Sequence, residues 1–321
     1  MRFPLAGLFG KEEVIGVDLG DSYVGAAQLG TATDGTPKLL AAGWVDCALD
    51  APESERVAAL KRLWKRFGLR SRTVCSCLRS PALLLRHFEF GPLSDDELAS
   101  ALRLEAEEAM QAFGNDLVLD WCPGRLGVPA AEATAPGRSG LLFAAPRHEV
   151  DHHLRVLHRA GLYPVAMDVG CLAVCNLFLG LRAWRHEDEA VGLVGLLTHS
   201  ADIAIIHRGE CIYPRTVLCT SSAWENAAGF LGENIQDALC YYRMKGHHHA
   251  VERIVLVGNV PAAPAFINTL STALELPVER WNPLLDLRER VGGGTMMVDE
   301  EAAATRGSLL AACLGLALRS T

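Results

Sequence analysis

No stretch of eighteen uncharged apolar residues occurs in the 321-residue chain, so the sequence contains no candidate for a membrane-spanning helix. Its first ten residues carry a single Arg and only a short apolar stretch. They lack the charged start, long apolar centre and cleavage site of a secretory signal, so the expectation is a protein that stays in the cytoplasm. Basic charge does not dominate: 30 Lys and Arg stand against 38 Asp and Glu, for a net charge of −8. The densest positive group is Lys61, Arg62, Lys65, Arg66, Arg70 and Arg72, which falls largely on the polar face of one amphipathic segment. Without a basic stripe, no nucleic-acid partner is expected. Ten cysteines are present, but no Cys-x-x-Cys pair. They are scattered through apolar runs and read as small buried hydrophobes of a reducing compartment. Cys75 and Cys77 share one face of a strand, and no metal site is expected of them. Also missing are the Gly-x-Ser-x-Gly elbow, the P-loop and the dinucleotide fingerprint.

What the chain does have is apolar patterning. Half of its residues are hydrophobic and 21% are charged, the composition of a globular protein of about two domains. Val14 to Leu19, Val24 to Leu29 and Leu39 to Val45 read as three strands joined by turns, followed by a helix over Glu53 to Phe67 and a strand over Thr73 to Leu78. Strand patterns return at Ala190 to Leu197, Ala201 to His207 and Glu210 to Leu218, about 175 residues later. A duplicated α/β unit with a cleft between its halves is the economical reading. Between the halves lies a helix capped by Ser94 with Glu97 three residues on, two strands around a Pro- and Gly-rich loop, and a helix over Glu149 to Ala160 that stops at Gly161. The expected domains are a first lobe over 1–85 and 164–188, an inserted α+β subdomain over 86–163, and a second lobe over 189–321. Glu301 to Leu318 is expected as one terminal helix.

The segment carrying chemistry is Val17-Asp18-Leu19-Gly20-Asp21-Ser22, at the first hairpin turn. Gly20 can adopt positive φ and bring backbone N–H groups close to a phosphate, while Asp18 can hold a metal-bound water. The histidines point elsewhere. His148, His152 and His153 fit a helix surface, and Gly246 to His249 fits an exposed loop. Gly292 to Gly294 reads as a flexible loop, and Met1 to Phe9 as a mobile arm.

Four further segments, in order and spacing, resemble the PilM family of type IV pilus assembly proteins: Ile15 to Gly20, Leu162 to Val169, Ile235 to Arg243 and Ala311 to Arg319. The resemblance runs from about Val14 to Arg319. It implies an actin-like, RNase H-like duplicated fold with two lobes and an inserted α+β subdomain, shared with the secretion protein GspL, the cell-division protein FtsA and the MshI proteins of mannose-sensitive-haemagglutinin pili. FtsA would be longer, with a C-terminal membrane helix. The family's nucleotide cleft would place Asp18, Gly20, Asp21 and Ser22 on one phosphate loop and Gly258 with Asn259 on the adenosine loop. Sugar kinases and Hsp70-type ATPases of this fold need a second loop of Asp-x-Gly-x-x-Ser/Thr type. Here Gly195 stands for the Asp and Leu197 for the Gly, with Thr198 and Ser200 read as turn residues, and Gly25 stands where the family usually has Lys.

These departures give the expectation of a degenerate site with no catalytic residue and no resident cofactor, ATP with Mg²⁺ being the alternative. The function implied is a cytoplasmic scaffold, peripheral to the inner membrane. It would bind the cytoplasmic N-terminal tail of a PilN-like inner-membrane protein and contact other platform proteins of the pilus. An active actin-like ATPase driving or regulating pilus assembly is the competing reading, and a sugar-kinase relative a third. In the family, the insert borders the groove that receives the tail. Leu83, Leu85, Phe88 and Phe90 are candidates for its apolar face, and the helix carrying Asp95, Asp96, Glu97, Glu105, Glu107 and Glu108 could attract a basic segment.

Overall fold

The structure is a computed structural model that describes residues 14–32, 35–49, 51–80, 82–114, 116–123, 138–181, 183–219, 224–244, 249–290 and 300–320. The expected N-terminal arm, the triple-glycine loop, His247 and His248, and most of the Pro- and Gly-rich loop lie outside these residues. The chain begins with β1 (Ile15–Leu19), β2 (Tyr23–Thr31), β3 (Pro37–Asp46), α1 (Glu53–Arg66), β4 (Thr73–Leu78), β5 (Leu84–Phe90) and α2 (Asp95–Ala109). It continues through β6 (Leu117–Pro123), β7 (Arg138–Pro146), α3 (Arg147–Arg159), β8 (Tyr163–Val169) and α4 (Gly170–Gly180). The second half holds β9 (Ala190–Leu196), β10 (Ser200–His207), β11 (Glu210–Leu218), α5 (Ala228–Met244), β12 (Val251–Gly258), α6 (Pro264–Leu274) and β13 (Val278–Arg280). It closes with α7 (Pro283–Arg290), α8 (Glu300–Arg306) and α9 (Ala311–Ala317).

Two five-stranded sheets share one topology, β3-β2-β1-β4-β8 and β11-β10-β9-β12-β13. In each, three antiparallel strands are followed by two parallel ones. The duplication expected from the repeated strand pattern is therefore present, with β1 and β9 in equivalent central places. Central strands are covered on both faces, which is why they read as nearly continuous apolar runs. Ile15 and Val17 of β1 pack into one core with Val57, Leu60, Leu63 and Trp64 of α1 and Val156 and Leu157 of α3. The β10–β11 hairpin turns through Arg208 and Gly209, both at positive φ, as a two-residue hairpin loop requires.

The lobes are tied by exchanged helices. α4 leaves the first sheet and packs on β9, β10 and β11, whereas α9, at the chain's end, packs under β1, β2 and β4. The two helices meet in the largest core. The seating of α9 depends on two glycines: a Cβ on Gly16 of β1 would lie 2.0 Å from the Cys313 carbonyl oxygen, and one on Gly315 would lie 1.8 Å from the Ala173 oxygen of α4. The chain end is pinned further by Arg319, whose guanidinium lies 2.5 Å from Asp168.

The insert is a three-stranded antiparallel sheet, β5-β7-β6. α2 covers it through Leu98, Leu102 and Ala106, packed on Phe88, Leu117, Leu142 and Ala144. The capping box expected at Ser94 and Glu97 opens α2. α3, within the 86–163 range, packs with α1 on the first large sheet. Two local expectations are corrected, and one helix is added. The terminal helix is broken by a 3-10 turn over Gly307–Leu310, where a Cβ on Gly307 would lie 2.7 Å from Asn282 Oδ1. α7 was not foreseen. His153 is not on the surface but buried: Ser76 Oγ donates to the Val17 oxygen at 3.0 Å and lies 2.8 Å from His153 Nε2. With the hydroxyl proton so committed, His153 Nε2 is the donor. Burial pushes its imidazolium down to about 4.

Candidate functional site: a cleft bridged by Arg79

The cleft between the lobes gathers the turns at the ends of β1, β4, β9 and β12. Asp18 on β1 is fully buried and pairs across the sheet with Gly25 and Cys77. Its carboxylate is held as a bidentate pair by Arg79, which follows directly on β4: Nε lies 2.7 Å from Oδ1 and Nη2 lies 3.0 Å from Oδ2. Tyr23 donates its phenol hydrogen to the same Oδ2 at 2.6 Å. Burial alone would raise the Asp18 carboxyl, but the charge of Arg79 and the hydrogen bonds from Arg79, Tyr23 and Cys77 hold it below the usual carboxylate range.

Arg79 also reaches the other lobe. Its Nη1 lies 3.4 Å from Oδ2 of Asp202 on β10, and Thr216 on β11 donates to Oδ1 of the same carboxylate at 2.7 Å. The side chains of Arg79, Asp18 and Asp202 are 9%, 0% and 7% exposed. Burial raises the Asp202 carboxyl above its usual range against the pull of Arg79. The guanidinium lies over the start of α4, where a Cβ on Gly170 would come within 2.7 Å of Nη1. A helix N-terminus disfavours a cation, so the two carboxylates are what hold it there.

The expected second phosphate loop needs correction at one point. Gly195 does stand where a carboxylate was sought, but β9 and β10 pair Gly195 with Asp202. A Cβ on Gly195 would lie 3.7 Å from that of Asp202. The second lobe thus has its cleft carboxylate one strand over. The Leu197 to Ser200 turn closes on itself, Leu197 N donating to the Ser200 oxygen at 2.9 Å, and Trp224 Nε1 donates to the Leu197 oxygen.

On the first loop, Gly20 is not among the residues at positive φ. Its lack of a side chain instead makes room for the Tyr23 ring, which would lie 2.3 Å from a Cβ there. The carbonyls of Gly20 and Asp21 accept hydrogen bonds from Arg56 at 2.7 and 2.9 Å. Ser22 Oγ meets Thr198 Oγ1 at 3.3 Å, a contact between the two lobes. Gly258, at φ 86°, makes the turn after β12 against the Leu196 carbonyl, to which Asn259 N donates at 2.7 Å. Ser308, in the break of the terminal helix, donates to the Gly258 oxygen at 2.8 Å.

The structure therefore brings Asp18, Gly20, Asp21 and Ser22 to one side of the cleft and Gly258 with Asn259 to the adjoining turn. It adds Arg79, Tyr23, Asp202 and Ser308, which pattern reading missed. The available signal was a lone Arg ending one apolar strand and a lone Asp inside another, since buried charges must find each other. The space left in front of Arg79 is about 290 Å³, bordered by Asp21, Arg56, Arg79, Ser80, His199 and Asp202. That is at the lower limit for small-molecule sites. For Mg²⁺ with a nucleotide, Asp18 would have to offer a free oxygen, and both of its oxygens are committed to Arg79 and Tyr23. The donor set present does not fit that group.

Among the described residues no cluster of three metal-ligating side chains occurs, and no helix is long and apolar enough to cross a membrane. On the insert, the candidates for an apolar groove separate. Phe88 and Phe90 stack at 5.8 Å within or against the insert's own core, while Leu83 and Leu85 point the other way, against the central one. Position parity puts Leu85 and the two Phe rings on opposite faces of β5. Three carboxylates of the acidic helix are engaged: Asp95 with Arg138, Glu105 with Arg86, and Glu97 in the cap. A groove of about 640 Å³ does lie on the insert, between α2 and the edge strand β6. It is bordered by Arg103, Leu104, Glu107, Leu119, Trp121 and Arg147, with Leu104 67% exposed.

The sequence profile of the type IV pilus assembly protein PilM matches residues 16–221. No curated protein sequence matches the chain. Among solved structures, one described as the PilM–PilN type IV pilus biogenesis complex aligns with a TM-score of 0.78 at 20% identity, covering 97% of this chain and 99% of that one. A Bacteroides thetaiotaomicron protein of actin-like ATPase fold and unknown function aligns with a TM-score of 0.53 at 12% identity, covering 85% and 92%. At these identities the likeness is one of fold, and the fold is the actin-like one.

Proposed function

The chain belongs to the PilM family of type IV pilus assembly proteins, and on that premise we propose that it is a scaffold of pilus biogenesis rather than an ATPase. It works in the cytoplasm at the inner membrane and binds the cytoplasmic N-terminal tail of a PilN-like membrane protein. The observation that carries the scaffold half is Arg79, whose guanidinium takes both oxygens of Asp18. An ATPase of this fold needs that carboxylate, or its counterpart in the second lobe, free to order metal-bound water. Both are spoken for, the second by Arg79 and Thr216.

The partner half rests on the likeness to the PilM–PilN complex and on the insert's surface. β6 is an edge strand, so its outward backbone groups can pair with an extended segment, and Leu104 and Trp121 beside it can seat apolar side chains. Pull-down with the cytoplasmic tails of PilN-like proteins tests the proposal. Retention of one such tail is expected; failure to retain any of them sinks the scaffold reading. Calorimetry with MgATP tests the other half, where no binding heat is expected and micromolar affinity revives the ATPase.

A further inference from the structure

We infer that Arg79 is the cleft's resident cation. Tethered to the end of β4, its guanidinium takes the place between the carboxylates of the two lobes that a divalent metal and its ligands would take. The chain itself, not a bound ligand, then holds the lobes together. The inference shares with the proposed function only the premise that no nucleotide closes the cleft.

The surroundings are shaped to the guanidinium. Its fork matches Asp18 with two bonds, which leaves Nη1 to reach Asp202 in the opposite lobe. Gly170 has no side chain where Nη1 lies. Tyr23 adds a third donor to the Asp18 carboxylate and reaches the Leu309 carbonyl, at the break in the terminal helix, at 3.3 Å. The loop thus has a direct line to the segment leading into α9. The Ser22–Thr198 hydroxyl pair makes a second contact between the lobes. With the side chain of Arg79 taken away, what remains is two buried carboxylates and the Thr216 hydroxyl around a gap. These are all oxygen donors, the set that suits a hard divalent cation.

Removing the tethered cation should therefore create a metal requirement that the natural chain does not have. Melting temperatures of the wild type and of Arg79→Ala, each with and without millimolar Mn²⁺, read this directly. The wild type is expected to be indifferent to Mn²⁺. Arg79→Ala is expected to melt lower and to regain about 3 °C or more with the ion. Adding Asp202→Asn to that variant should abolish the recovery, which a merely destabilised core would not do. An equal Mn²⁺ response in the wild type, or none in a folded Arg79→Ala, overturns the inference. Should Arg79→Ala not fold, Asp202→Asn with Arg79 intact carries the test through hydrogen exchange. Amides of residues 20–22 and 197–200 are expected to exchange about tenfold faster or more while β1 and β9 stay protected. Unchanged exchange in both loops overturns it equally. A partner tail that fails to bind leaves all these readouts as they are, so the two readings fail separately.

Discussion

Replacing Arg79 by Met keeps an unbranched side chain of similar length and removes the charge. Asp18, at 0% exposure, then has no cation, and neither does Asp202. Breaking a buried pair by deleting one partner costs about 3–5 kcal/mol. At roughly 1.5 °C per kcal/mol for a chain of this length, melting at neutral pH should fall by about 5 °C or more. The pH dependence is the sharper signature. In the wild type, Asp18 is held below its ordinary value of 3.8, so its contribution is present above that value and fades only as pH falls through the lower one. In Arg79→Met, burial is opposed only by the hydrogen bonds from Tyr23, Cys77 and Thr216, and both carboxyls move up. A raised acid contributes fully below its ordinary value and loses that contribution as pH rises through the raised one. The gap between wild type and variant should therefore be widest near pH 7.5 and narrow steadily toward pH 4. Thermal melts at pH 7.5, 6 and 5 measure it. A gap that stays constant or widens on acidification refutes the pairing, as does a neutral-pH loss under about 1 kcal/mol.

Three other outcomes follow from the same contacts. Tyr23→Phe removes a buried hydroxyl that donates to a charged carboxylate at 2.6 Å, and should cost about 2 kcal/mol in melts at neutral pH; a loss below about 0.5 kcal/mol would show the bond to be idle. Gly315→Ala puts a methyl 1.8 Å from the Ala173 carbonyl oxygen, forces α9 from α4, and should destabilise by about 3 kcal/mol; near-neutral melting would mean the helices can part freely. His153 stays neutral when buried, its value pushed from 6.5 to about 4, so wild-type stability should fall by up to about 3 kcal/mol as pH drops across that window. His153→Gln should flatten that slope, and an unaltered slope would assign it to another group.

The duplication was legible because three-strand openings leave a periodic apolar signal, and that signal recurs at β1 and β9. Capping at Ser94 and the turn glycine at Gly161 were legible because their chemistry is local. The cleft was half legible. Asp18 and Gly20 announce a turn beside a carboxylate, but the role of Gly20 depends on the ring of Tyr23, a packing fact rather than a backbone one. What holds Asp18 is Arg79, sixty-one residues on, and what Arg79 links is Asp202, a further 123. Neither separation has a period, so no pattern search finds it. Gly195 misled for a related reason. The carboxylate missing from β9 sits on its sheet partner, and pairing register is invisible until the strands are aligned. The broken terminal helix failed on composition: its Ala and Leu favour helix, and the break falls at Gly307, where Asn282 packs too close for a side chain.

As a PilM-family protein, the chain should bind a membrane-protein tail while its cleft stays closed by its own arginine. Titrating the cytoplasmic tail of a PilN-like protein into the purified chain by calorimetry, with and without MgATP, tests it most directly. Saturable binding with the same affinity in both buffers, and no nucleotide turnover, is the predicted result. Binding that appears only with MgATP, or no binding under either condition, would contradict it.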